Sequence, residues 1–156
     1  MIVTVNPSKA VGKVMAPPSK SMAHRYLIGA ALSKTTCQIS GIDYSEDILA
    51  SMDCLKALGA RIIAEGDTVT INAAAFMEKL DKPDLNCRES GSTLRFFIPL
   101  ALCLGKEVVF QGSTRLLERP LDVYEELCER NHFTLIKNEN ALTVRGKLQS
   151  GAYTIR

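Results

Sequence analysis

The chain has no tryptophan, few other aromatic rings, no Asp or Glu ahead of Asp43, and no apolar run long enough to span a bilayer. Each absence narrows the function. Nucleic-acid modules combine a broad basic excess with interleaved aromatics, whereas this chain of 156 residues carries a formal charge of only +2. A polyanion partner is therefore disfavoured. The missing apolar run excludes a membrane helix, and the N-terminus lacks the charged-then-apolar pattern of a secretory signal, so a cytoplasmic location is expected. The five cysteines, Cys37, Cys54, Cys87, Cys103 and Cys128, include no Cys-x-x-Cys and no His at metal-ligand spacing. They read as reduced, mostly buried packing residues, with no metal site expected.

What is present is a cationic beginning. Lys9, Lys13, Lys20, Arg25 and Lys34 face no acid in the first 42 residues, giving that segment +5 and the remainder −3. Within it lies Pro17-Pro18-Ser19-Lys20-Ser21-Met22-Ala23-His24-Arg25, followed by the apolar Tyr26, Leu27, Ile28, Ala30, Ala31 and Leu32. The prolines and serines predict a helix beginning near Ser19 or Ser21. A helix N-terminus already carries roughly +0.5 of a charge in unpaired N–H groups, so Lys20 and Arg25 beside it are unfavourable unless an anion sits among them. Phosphate or carboxylate fits those N–H donors, hydroxyls, ammonium and guanidinium.

The rest of the chain reads as a duplication. Helix Ser21–Leu32, strand Cys37–Ser40, helix Asp47–Leu58 ending at Gly59, and a hairpin Arg61–Glu65 with Thr68–Ile71 form one unit. From Gly91 the order returns: helix Ser92–Leu104 ending at Gly105, strand Glu107–Phe110, helix Pro120–Glu129, and strands Phe133–Ile136 and Ala141–Val144. Arg25 matches Arg95, Ala31-Leu32 matches Ala101-Leu102, Leu55 matches Leu127 and Val69 matches Leu142, at offsets of 70 to 73. A further strand is expected before each first helix, at Val14-Met15 and at Leu85–Cys87. The expected fold is thus α/β (α+β), built of repeated βαβαββ units. Ala152-Tyr153-Thr154-Ile155 reads as the start of a third unit, so the chain is expected to be the N-terminal part of a longer protein.

Three motifs, in order, resemble the enolpyruvyl transferases, and within them the shikimate 3-phosphate branch. They are Pro18-Ser19-Lys20-Ser21 with His24-Arg25; Ser90-Gly91-Ser92-Thr93-Leu94-Arg95; and Arg115-Leu116-Leu117-Glu118-Arg119-Pro120. The resemblance implies two globules of three βαβαββ units each. Residues 1–15 would be a strand segment of the other globule, and residues 16–156 would hold two units and the start of a third, an incomplete globule. It also implies transfer of the enolpyruvyl group of phosphoenolpyruvate to the 5-hydroxyl of shikimate 3-phosphate, with release of phosphate and no cofactor. By resemblance, Lys20 is catalytic and contacts both substrates, Ser21 and Arg25 hold shikimate 3-phosphate, and Gly91 and Arg115 hold phosphoenolpyruvate. Ser92, Arg95 and Arg119 are secondary candidates, and Arg95 and Arg119 also admit purely structural roles.

Glu89 departs from the family's usual Asn, and an acid there is unfavourable unless Arg88 or Arg95 pairs with it. His24 reads as a helix-face residue rather than a base. The family's acid, base and further cationic ligands would belong to the C-terminal part of the same enzyme, the expected partner. Two alternatives remain open: the sister enzyme acting on UDP-N-acetylglucosamine, disfavoured by Ser21 and by the lack of a Cys between Ser113 and Glu118, and a non-catalytic anion-binding module.

Overall fold

Local signals fix most helix ends in the computed structural model, which describes residues 2–4, 6–9 and 11–153. Helix α1 (Lys20–Leu32) follows Pro17-Pro18 and is capped by Ser19, whose Oγ accepts from the Met22 amide. After strand β1 (Thr36–Ile39), helix α2 (Glu46–Ala57) begins with Glu46 and Asp47 and ends with Lys56, charges that complement its dipole. Gly59 then turns the chain at φ +94°, where a Cβ would lie 2.7 Å from the Ala75 carbonyl oxygen. Glycine is required there on both counts. Strands β2 (Arg61–Glu65) and β3 (Thr68–Asn72) form the expected hairpin, with Glu65 opposite Thr68.

The second unit opens with strand β4 (Asp84–Asn86) and helix α3 (Gly91–Leu104), capped by Ser90 and ended by left-handed Gly105. Pro99 inside α3 cannot donate to the Arg95 carbonyl four residues earlier. The Tyr124 hydroxyl donates to that carbonyl instead, at 2.8 Å. Strand β5 (Val108–Gln111), the single turn α4 (Thr114–Leu117), helix α5 (Asp122–Arg130) and strands β6 (Thr134–Lys137) and β7 (Leu142–Arg145) complete it. The turn α4 was not expected from the sequence. Ser113 makes it by accepting from the Leu116 amide.

The two sheets repeat one pattern. The first has the order β1-β3-β2, all antiparallel, and the second has β4-β5-β7-β6, in which β5-β7-β6 follows the same antiparallel order. Strand β4 lies parallel to β5 on its open side. The corresponding strand of the first unit, expected at Val14-Met15, does not form. Both side chains are almost fully exposed, at 95% and 97%, and the described residues before Lys20 make no strand. A strand needs a backbone partner, and among the described residues nothing pairs with the outer edge of β1 on that side. Ala152 and Tyr153 are not in a strand either, while Thr154 and Ile155 lie outside the described residues.

A single hydrophobic core spans both units. Leu27 of α1, Ile48 and Leu55 of α2, Phe97 and Ile98 of α3, and Phe110 of β5 are fully buried within it. Helices α1, α2 and α3 all contact one another, so the N-termini of α1 and α3 belong to one packed layer.

Candidate functional site

The expected residues fall into two cationic groups and one outlier. At the start of α1, which has no acid in its first turn, Lys20 Nζ reaches Asp47 Oδ2 of α2 at 3.2 Å. Arg25, one turn on, folds back: Nη1 donates to the Ser21 carbonyl at 2.7 Å and to Ser21 Oγ at 2.5 Å. Lys20, Ser21 and Arg25 are exposed, so the group is open to ligand.

The second group lies at the start of α3, again without an acid in the first turn. A Cβ on Gly91 would sit 2.5 Å from Arg119 Nη1 and 3.0 Å from Arg95 Nη1. The bare glycine therefore lets two guanidinium groups close on a helix N-terminus. Arg95 Nη2 is anchored on the Pro120 carbonyl at 3.1 Å. Like charges gathered on the positive end of a helix dipole repel one another, and a bound anion relieves that repulsion. Ser92 is exposed on the same turn.

Arg115 is the outlier. It is exposed on α4, forms no ion pair among the described residues, and is not among the groups nearest Gly91. The three atoms nearest a Gly91 Cβ all belong to the guanidinium groups of Arg119 and Arg95. The sequence carried a signal for this: Arg119 directly precedes Pro120, which biases its backbone away from helix and into the connection that returns over α3.

A buried polar chain ties the two groups together. His24 Nδ1 and Ser51 Oγ are 2.7 Å apart, Ser51 Oγ and Thr93 Oγ1 2.8 Å, and Thr93 Oγ1 donates to Ser90 Oγ at 2.8 Å. All four side chains are buried. Thr93 has one hydroxyl proton and directs it to Ser90 Oγ or to the Asp47 carbonyl at 3.3 Å, so Ser51 donates to Thr93 and His24 Nδ1–H donates to Ser51. Burial holds the His24 imidazole below its ordinary pKa; Asp47 opposes this, while Arg25 and Lys20 add to it. His24 is thus a neutral strut between helices. Ser51 and Thr93 were missed in the sequence, although Ser51, a polar residue between Ile48 and Leu55 on the apolar stripe of α2, was a legible sign.

Glu89 has neither of the partners considered for it. Arg88 instead pairs with Glu46 at 2.5 Å and Asp53 at 2.7 Å, and Arg95 goes to Pro120. A cleft of about 330 Å³ lined by Asn86, Arg88, Glu89, Gln111 and Ser113 opens at the carboxyl ends of the parallel strands β4 and β5, where open α/β sheets bind ligands. A larger cavity of about 510 Å³, beside Thr114, Glu118 and Lys137, includes none of Lys20, Arg25, Arg95 or Arg119. The cysteines are all free. Cys54, Cys87 and Cys128 are buried, Cys37 is half-buried and Cys103 is exposed. A hydrogen bond with Cys87, then burial, pushes the Cys54 thiol up, whereas hydrogen bonds from Ser33 and Thr35 pull Cys37 down.

Known proteins similar to this chain fall in one family. The family model described as EPSP synthase (3-phosphoshikimate 1-carboxyvinyltransferase) matches residues 5–149. The 3-phosphoshikimate 1-carboxyvinyltransferase of Clostridium kluyveri is 42% identical over 99% of this chain and 36% of its own length. That of Clostridium perfringens strain SM101 is also 42% identical, over 99% of this chain and 37% of its own. The chain therefore spans little more than a third of the curated relatives it matches. The EPSP synthase of Acinetobacter baumannii, solved at 2.37 Å, shares the fold with a TM-score of 0.73 over 86% of this chain and 32% of its own, at 22% identity. On the match of nearly its whole length to one family model, this chain belongs to the EPSP synthase family.

Proposed function

We propose that the chain forms one side of a site that transfers the enolpyruvyl group of phosphoenolpyruvate to the 5-hydroxyl of shikimate 3-phosphate, releasing phosphate. The observation that carries this reading is the pair of acid-free helix starts, each with its own arginines, joined by the His24–Ser51–Thr93–Ser90 chain. Both substrates carry a phosphate and a carboxylate, and a rigid set of cations suits a reaction in which negative charge moves between them.

Lys20, Ser21 and Arg25 hold shikimate 3-phosphate. Gly91 exposes the α3 amides to phosphoenolpyruvate, and Arg119 with Arg95 clamps its phosphate or carboxylate, the part that the motif alone suggested for Arg115. Planar guanidinium groups suit that two-point grip. Lys20, held in the free protein by half-buried Asp47, is a mobile ammonium that swings to whichever oxygen gains charge. Ser92 adds a hydroxyl. The proton-transferring acid and base come from the remainder of the enzyme, the partner this side requires, and the whole acts in the cytoplasm on small molecules rather than nucleic acid.

Calorimetric titration of this chain with shikimate 3-phosphate and with UDP-N-acetylglucosamine tests the assignment. The first ligand is expected to bind, weakly and at least about tenfold worse after Lys20→Ala, given the strength of charge-assisted hydrogen bonds. Binding of the UDP-sugar alone contradicts it.

A further inference from the structure

The first cationic group is completed by a side chain of the second unit. Phe96 follows Arg95 on α3, is half-buried, and presents its ring to Arg25, whose Cζ lies 5.0 Å from the ring centroid. His24 fixes the same ring edge-on, with centroids 6.1 Å apart and planes inclined at 63°. Arg25 Nη1 is already engaged by Ser21. Among the described residues, Arg25 Nη2 and Nε have no hydrogen-bond partner, which leaves free the donors that a two-toothed anion contact uses.

We propose that Phe96 is a positioning residue: its ring holds the Arg25 guanidinium in place with Nη2 and Nε available to a phosphate-bearing substrate, so that affinity at the first helix depends on a side chain from the second unit. An exposed arginine otherwise loses rotamer freedom on binding, and a ring that holds it beforehand reduces that loss. The attraction needs the ring's π face, which a leucine of similar bulk does not supply. The inference rests on the reading of Arg25 as a shikimate 3-phosphate ligand.

The test uses this chain with Phe96→Leu, Phe96→Tyr, Arg25→Ala and the Arg25→Ala/Phe96→Leu double variant, titrated separately with inorganic phosphate and shikimate 3-phosphate. Phe96→Leu is expected to weaken binding about threefold to tenfold, the span of cation–π contacts from open to half-desolvated sites. Phe96→Tyr should stay within about twofold of the parent. In the Arg25→Ala background Phe96→Leu should add nothing, which a merely structural role would not produce. Side-chain proton resonances of Arg25 in the ligand-free chain should show a ring-current shift that persists in Phe96→Tyr and vanishes in Phe96→Leu. Absence of that shift in the parent, unchanged phosphate affinity in Phe96→Leu, or an equal loss with and without Arg25 overturns the proposal. If phosphate follows the expected pattern while shikimate 3-phosphate does not bind, Phe96 keeps its role and the substrate reading fails.

Discussion

The two repeated units use the same helix starts in different ways. In both, the first helix begins without an acid, α1 at Lys20 and α3 at Gly91, whereas the last begins with acids, Glu46 and Asp47 on α2 and Asp122 and Glu125 on α5. Among the helices longer than a single turn, anion attraction is thus confined to one start in each copy. The copies differ in what meets the cations. In the first, Lys20 is held by Asp47 and Arg25 by Ser21 and Phe96. In the second, Arg95 and Arg119 crowd Gly91, and the partner of Arg95 is the neutral Pro120 carbonyl. The second group therefore carries more uncompensated charge and depends more on an incoming anion. Duplication supplied a common scaffold, and side chains at a few positions made its two ends unequal.

The shared core is the most forceful place to challenge this comparison. Phe97→Ala removes a fully buried ring from the helix that packs against both α1 and α2. A loss of about 3–5 kcal/mol is expected, with both units unfolding in one transition. Denaturant melts followed separately by Tyr44 and by Tyr124 fluorescence variants would read it; two separated transitions would mean that the units are independent and that the common core has been overvalued.

A smaller effect should come from His24, which links the units and touches Lys20, Arg25 and Asp47 electrostatically. Its folded pKa lies below the ordinary imidazole value of about 6.5. Between the folded value and about 6.5 the unfolded chain binds a proton that the folded chain does not, so stability falls as pH drops through that window and levels off below it. His24→Gln should lose that part of the acid sensitivity. Denaturation midpoints compared from pH 7.5 to pH 5 will measure it, and parallel curves for the two proteins would remove His24 from the link.

Much of this organisation was legible because it is local. Gly59 and Gly105 mark helix ends, Ile48 and Leu55 mark the buried stripe of α2, and Gly66-Asp67 marks a hairpin, each through the conformation of a few neighbouring residues. The strand expected at Val14-Met15 failed because pairing, not alternation, makes a strand, and the residues that pair with β1 are not on its outer edge. Arg115 and Arg119 share one motif four residues apart, and only the path of the chain through α4 and Pro120 separates their positions. The contact of Arg25 with Phe96 joins residues of different units, and no local pattern announces it.

The most direct measurement of the central claim, that both helix starts serve anions on one surface, is to titrate the isotopically labelled chain with inorganic phosphate and follow its backbone amides. The account predicts saturable shifts at Ser21, Met22, Gly91 and Ser92, with those at Gly91 and Ser92 abolished by Arg119→Ala and retained in Arg115→Ala. Shifts confined to the neighbourhood of Thr114 and Arg115, or a Gly91 response that survives Arg119→Ala unchanged, would contradict it.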